Sequence, residues 1–340
     1  MHGDELNGIE VVRRVVYSLE PDKLAGTVIG VPIVNIAGFQ RHSRYLPDRR
    51  DLNRHFPGSP TGSLASRVAY SFFTQVIQRC ERLVDLHTGS FHRTNLPQLR
   101  ADLANPDILE MTKGFGGIAV LQSAGASGTL RRAAADAGIP SVTIEAGEPL
   151  RLQTQEVDQG VKGIETLMHR LEMIERNRLW PDPQPVFYES RWVRANRGGI
   201  LLGQVALGER VRQGTVLGTV TDPVTNVTAQ VTSPYNGRVL GMALNQVVMP
   251  GFAAFRVGIE TTEEQAKREA AEHAAEAPAA PSGASPAGDD TEGELDDNAG
   301  AVERTTPKPR SGTSEAAADA GEGDEDQEAP IQGEDPGNDD

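Results

Sequence analysis

The sequence predicts an α/β fold, a mainly parallel or mixed sheet flanked by helices, followed by a small all-β unit and a disordered acidic tail. Three observations predict it. Helical and strand-like apolar periods alternate through residues 1–175. From Trp192 short apolar runs cut by glycines replace the helical periods. From Thr261 large apolar residues nearly vanish. The boundaries that follow are 1–184 for the α/β domain, 185–260 for the β unit and 261–340 for the tail.

The elements read in order. Ile9, Val12, Val16 and Leu19 recur at helical spacing after Asp4 and Glu5, and residues 27–34 read as a buried strand. Residues 61–79 form a second helical period and residues 83–86 a second strand. A helix over residues 128–137 stops at Gly138 and Pro140, and residues 142–144 make another short apolar strand. In sheets of this kind functional groups collect at the carboxyl ends of strands.

Composition narrows the function classes. With 38% hydrophobic residues the chain can build a real core. It has no apolar run of about 18 residues to span a bilayer and no basic segment leading into an apolar stretch at its start, so the cytoplasm is the expected location. Cys80 is the only cysteine, which excludes an intrachain disulfide and a thiolate metal cluster. The net charge of −15 belongs to the tail: residues 261–340 carry 23 acidic and 5 basic side chains, leaving 25 and 28 in the first 260 residues, a body at +3. A nearly neutral body with no Lys/Arg stripe among aromatics does not predict nucleic-acid binding. The tail opens with a stretch of short-helix character, TTEEQAKREAAEHAAEA, and otherwise reads as a solvated, self-repelling appendage.

Three clusters stand at element ends. His2-Gly3-Asp4-Glu5 lies at the mouth of the first helix, where a three-residue offset brings imidazole and carboxylate to one side. Asp85-Leu86-His87-Thr88-Gly89 and Thr143-Ile144-Glu145-Ala146-Gly147 are both strands running out into glycine. Each alone has an ordinary structural reading: a surface histidine, or half of a salt bridge. Together, in one α/β unit, they point to a metal site. Hydrolytic zinc takes three protein ligands and keeps a position for water, and His2, Glu5 and His87 supply a two-histidine, one-glutamate set for one Zn2+ per chain. Glu145 is the candidate base for the water proton. Asp85, two residues before His87 on the same strand face, is a candidate partner for an imidazole N–H.

The segments MHGDELNG, RYLPDRRDLNRHFPG, DLHTG and TIEAGEP resemble the succession of motifs in the succinylglutamate desuccinylase/aspartoacylase family, relatives of the zinc carboxypeptidases, over residues 1 to about 175. The resemblance implies a carboxypeptidase-like sheet, His2, Glu5 and His87 as zinc ligands and Glu145 as general base. It also implies that Asn53 and Arg54 grip a substrate carboxylate and that Arg44 polarises the scissile carbonyl. These roles agree with the planar fork of an arginine on a carboxylate and with a cation facing a developing oxyanion. Arg49 and Arg50 are expected at the surface, and Arg131 and Arg132 as solvated helix charges. Family members carry a strand and further residues before the HGDE segment, so the start at Met1 is expected to be internal to a longer reading frame.

Beyond residue 185, the runs around Gly198-Gly199, Gly208 to Gly214 and Ser233 to Val239 resemble the barrel-sandwich hybrid of biotinyl and lipoyl carriers. No lysine occurs between Lys162 and Lys267, so the usual carrier chemistry is excluded. The expected role is a wall of the active-site entrance or a homo-oligomer contact. The activity expected for the whole is hydrolysis of an N-acyl amino acid or a similar small carboxylate-bearing amide. The alternatives are a metallocarboxypeptidase acting on peptides and a non-catalytic binding protein with a decayed site.

Overall fold

The computed structural model describes residues 1–175 and 185–259. The expected acidic tail lies outside the described residues. Among the described residues no helix is long and apolar enough to cross a membrane.

The first helix, α1 (Leu6–Ser18), starts directly after Glu5 and buries Asn7, Val11 and Val15. Residues 27–34 correct the sequence reading, because they run without strand pairing. Apolar content alone does not make a strand: the backbone must find a ladder partner, and among the described residues this segment has none. Its side chains are placed by packing instead, Val28 against the core cluster that contains Val11, Val15 and Val161 and Val34 against the one that contains Ala65 and Phe73. Two helices follow with side-chain caps. Asn35 accepts from the Gly38 amide at the start of α2 (Ile36–Gln40), and Ser63 accepts from Ser66 at the start of α3 (Leu64–Gln75).

The sheet begins with β1 (Leu83–His87) and β2 (Arg93–Ala101). It is completed on the helical side by α4 (Pro106–Thr112), β3 (Ala119–Gln122), α5 (Leu130–Asp136), β4 (Ser141–Gly147) and α6 (Thr154–Arg170). Strand β4 is central. It runs parallel to β1 and antiparallel to β2, and all seven of its residues are buried, as expected of a strand covered on both faces. The β1–β4 register pairs Leu83 with Ser141 and ends by pairing His87 with Glu145. Two of the three sequence clusters are thereby set side by side at the carboxyl ends of neighbouring strands.

From residue 185 the described chain is strands and turns: β5 (Val186–Phe187), β6 (Ser190–Arg194), β7 (Gly199–Gly203), β8 (Arg210–Val211), β9 (Val216–Thr221), β10 (Thr228–Thr232), β11 (Gly237–Ala243), β12 (Gln246–Val248) and β13 (Ala253–Ile259). Strand β11 pairs antiparallel with β2 through Gly241, Met242 and Ala243, so the central sheet continues in the order β1-β4-β2-β11-β13-β6. A second sheet, β10-β9-β7-β12, packs Leu201, Val220 and Val231 against Val239, Phe255 and Val257 of the first. The start of β2, next to the site, is therefore fixed by strands distant in sequence.

Candidate metal centre and active site

Gly3 lets the chain enter the site. Its amide donates to the Ser43 carbonyl at 3.1 Å, and a Cβ at this position would overlap the Gly38 backbone. His2 and Glu5, three apart across the start of α1, and His87, at the end of β1, are all buried, and their ligand atoms lie within 4.8 Å of one another. Glu5 stands between the two rings, with Oε1 2.7 Å from His2 Nδ1 and Oε2 2.9 Å from His87 Nδ1. The outer nitrogen of each ring meets its own aspartate: His2 Nε2 is 3.0 Å from Asp51 Oδ1, and His87 Nε2 is 2.9 Å from Asp85 Oδ2.

Charges hold this array together. Burial works against ionisation of His87, but the carboxylates of Asp85 and Glu5 outweigh it and raise its pKa well above the ordinary imidazole value. Burial likewise opposes the charge on Glu5 and Asp85, and the imidazoles reverse it, holding both carboxyls below their usual range. Asp51 is held well below the usual carboxylate range as well: burial is again outweighed, by His2 and then by Arg44 and Arg54. Arg44 is buried with its Nε and Nη2 on Asp51 Oδ2, at 3.1 and 2.8 Å, so the fork is anchored on one side. Its Nη1 reaches the inner array, 3.4 Å from Glu5 Oε1 and 3.2 Å from His2 Nδ1.

The donor set suits a divalent cation. A neutral imidazole has one N–H; if each ring donates from Nε2 to its aspartate, both Nδ1 lone pairs face the oxygens of Glu5, an arrangement that a shared cation relieves. The charges agree. Three buried carboxylates, Glu5, Asp51 and Asp85, surround the rings, and Arg44 touches two of them, Glu5 and Asp51. Two imidazoles and a carboxylate are a set that zinc accepts.

Glu145, at the end of β4, is buried and held from β2: Asn95 Nδ2 donates to Oε2 at 3.0 Å, and the Arg100 Nε lies 3.6 Å from Oε1. Asn53 is buried on the loop after Asp51. Its amide donates to Asp51 Oδ1 at 2.8 Å, and its own Oδ1 accepts from the Leu130 amide at 2.8 Å, which settles its side-chain orientation. Arg54, half-buried, donates from Nη1 to the Asn53 carbonyl at 2.9 Å. The left-handed Gly128 lets α5 approach there, since a Cβ would press on the Arg54 carbonyl. The loop from Arg44 to Arg54, β1, β4 and the start of α1 thus bring together the residues singled out in the sequence.

One expectation is corrected. Arg131 is not a solvated helix charge: it is buried and donates to Ser123 O at 2.7 Å and Ser123 Oγ at 3.0 Å, because its helix turns that face onto the sheet. Burial, and then the neighbouring Arg100, depress its pKa to about 10. Arg132 is the more exposed of the two and pairs with Asp136 at 2.9 Å. Three residues of the array escaped sequence reasoning: Asp51, Asn95 and Arg100.

The aspartates make a testable contribution. Asp51→Asn removes the charge that Nε2 of His2 and two nitrogens of Arg44 share, and it is expected to weaken metal binding about 10- to 100-fold. Competition with a metal-chelating dye measures this directly. Affinity within twofold of the parent would show that Asp51 only shapes the loop.

The site is thus an α/β sheet carrying a buried His-Glu-His cluster, each imidazole backed by an aspartate, with a carboxylate on the adjoining strand. Residues 1–171 match the model of the succinylglutamate desuccinylase/aspartoacylase catalytic domain, and the chain belongs to this family. It is 27% identical over 233 residues to the N-alpha-acetyl-L-2,4-diaminobutyric acid deacetylase of Halomonas elongata, covering 65% of this chain and 68% of that protein. Its fold is similar to that of a succinylglutamate desuccinylase/aspartoacylase from Rhodobacter sphaeroides, with a TM-score of 0.68 and 24% identity over 77% of this chain and 83% of the other. It is also similar to the product-bound ectoine utilization protein EutE (DoeB) of Ruegeria pomeroyi, with a TM-score of 0.70 and 21% identity over 76% and 82%.

Proposed function

We propose that this chain is a zinc-dependent hydrolase that cleaves the amide bond of an N-acyl amino acid. The observation that carries the reading is the buried array itself: His2, Glu5 and His87 present three donor atoms to one point, with Glu145 on the adjoining strand. Zinc held by those three residues supplies Lewis acidity toward a water and an amide carbonyl. The chain's own residues do the rest. Glu145 takes the proton of the attacking water and returns it to the nitrogen as the C–N bond breaks, giving a carboxylic acid and a free amine. Arg44, anchored by Asp51, turns its Nη1 edge toward the oxygen that gains negative charge. Arg54 and Asn53 hold the carboxylate of the amino acid half, the guanidinium through its fork and Asn53 through the NH2 group opposite its bonded Oδ1.

The deacetylase name of the Halomonas elongata relative supports starting with acetyl substrates. Zinc per chain by elemental mass spectrometry, together with turnover on N-acetyl amino acids, including N-acetylated diamino acids, and on short peptides, tests the proposal. About one zinc and turnover of the acetyl compounds supports it; turnover of peptides alone points to a carboxypeptidase, and neither metal nor turnover abolishes the reading. Within it, Arg54→Ala is expected to raise KM about 10- to 100-fold, the loss of a charged hydrogen bond, with a smaller effect on kcat. Unchanged kinetics would move Arg54 out of the binding site.

A further inference from the structure

Three residues after His87 the chain enters a turn whose sequence opposes its geometry. The Arg93 amide donates to the Ser90 carbonyl at 3.2 Å, and the two central residues, Phe91 and His92, both have positive φ, 53° and 56°. Positive φ at both centres is the pattern of a type I′ turn, which favours Asn-Gly, and a bulky aromatic there is a genuine outlier. Such outliers are held by their surroundings, and they concentrate at functional sites.

The surroundings here belong to the C-terminal strands. The amide of Leu244 and the Nε2 of Gln246, at the turn between β11 and β12, both donate to the His92 carbonyl at 2.8 Å. Arg93, the last residue of the turn, is buried. It donates to the Ala253 carbonyl at 2.9 Å, and its guanidinium carbon lies over the rings of Trp192 and Phe252, 5.2 and 4.5 Å from their centroids. Ahead of this clamp Phe91, half-buried, places its ring 5.7 Å from the guanidinium carbon of Arg44.

We propose that the Ser90–Arg93 turn is a specificity element for the acyl group, with Phe91 as its wall and the β11–β12 turn as its clamp. The inference rests on the hydrolase reading above and deepens it. Asn53 and Arg54 take the carboxylate of the amino acid half, and Arg44 takes the carbonyl oxygen. The apolar ring beside Arg44 then falls to the substituent on the acyl carbon. Phe91 limits the length of that substituent, and the left-handed backbone, imposed by β11, β12 and β13, turns the ring inward. The C-terminal strands thereby act on the reaction through one turn.

The test is kcat/KM for acetyl, propionyl, butyryl and hexanoyl derivatives of one amino acid. The parent is expected to fall steeply with acyl length. The double variant Phe91→Asn/His92→Gly supplies the residues that the turn favours, so it should melt no lower than the parent while removing the ring. Its butyryl-to-acetyl ratio is expected to rise at least tenfold, the scale of discrimination that a pocket achieves per methylene or two. Gln246→Ala should move the ratio in the same direction by a smaller factor, and Phe91→Leu should fall between parent and double variant. An active parent whose acyl ranking is unchanged in the double variant overturns the role of Phe91. A ranking changed there but not in Gln246→Ala, despite a lower melting temperature, overturns the clamp. A parent inactive on every acyl amino acid instead refutes the hydrolase reading on which the inference stands.

Discussion

Glu145→Gln is expected to leave zinc bound at the parent stoichiometry and to lower kcat about 100- to 10,000-fold, the usual contribution of a positioned proton-transfer group. The amide keeps the shape of the side chain, so its oxygen can still accept from Asn95. It cannot take a proton, and it turns an NH2 group toward the Arg100 guanidinium, where Glu145 presents Oε1 at 3.6 Å. Some loss of stability accompanies the change, because a buried cation loses an anionic neighbour. Glu145→Asp separates the two effects. It keeps the charge beside Arg100 but withdraws the carboxylate by about one methylene, and a misplacement of roughly 1 Å costs about 100-fold in rate. A melting temperature near the parent's with a deep loss of kcat in the aspartate variant assigns the effect to chemistry. If the glutamine variant retains zinc and turns over within about threefold of the parent, Glu145 is not the base.

How much of this was legible in the sequence depends on how far each residue sits from its partners along the chain. His2 and Glu5 announce themselves through a three-residue offset at a helix start. His87 and Glu145 are legible as strand ends, and the parallel register that pairs them follows from both strands leaving the sheet at the same edge. Asp85 was legible because two residues along a strand return to the same face. Asp51 plays the same part for His2 but lies 49 residues away, on a loop whose path no periodicity encodes. Its signal was the DLNR segment, in which the carboxylate stands two before Asn53 as Asp85 stands two before His87. Asn95 and Arg100 were hidden because Pro97 argues against a central strand. The structure accommodates it at an irregularity in the β2–β4 pairing between Asn95 and Gln98. Residues 27–34 failed in the opposite sense, with the composition of a strand and no ladder.

Removing the metal tests the array as a unit. Exhaustive dialysis against a chelator is expected to abolish hydrolysis, and one equivalent of zinc to restore it, because attack on an unactivated amide by water alone is far too slow to measure beside the enzyme. Stability should fall with it. A cation bound only by the folded state adds about 4 kcal/mol when present at a thousand times its Kd, and the carboxylates of Glu5, Asp51 and Asp85 lose that compensation on its removal. His87→Ala should go further than chelation. It deprives both Glu5 Oε2 and Asp85 Oδ2 of the ring they share, leaving two buried carboxylate oxygens without that partner. The variant is expected to hold less than a tenth of an equivalent of zinc, with activity and melting temperature that added zinc does not restore. Asp51→Asn, which keeps all three ligands, should by contrast recover activity as zinc is raised. A chelated protein carrying less than a tenth of an equivalent of metal and still hydrolysing acyl amino acids at the parent rate would rule out a metal role for His2, Glu5 and His87. Those side chains would then be a purely structural hydrogen-bond network beneath Glu145.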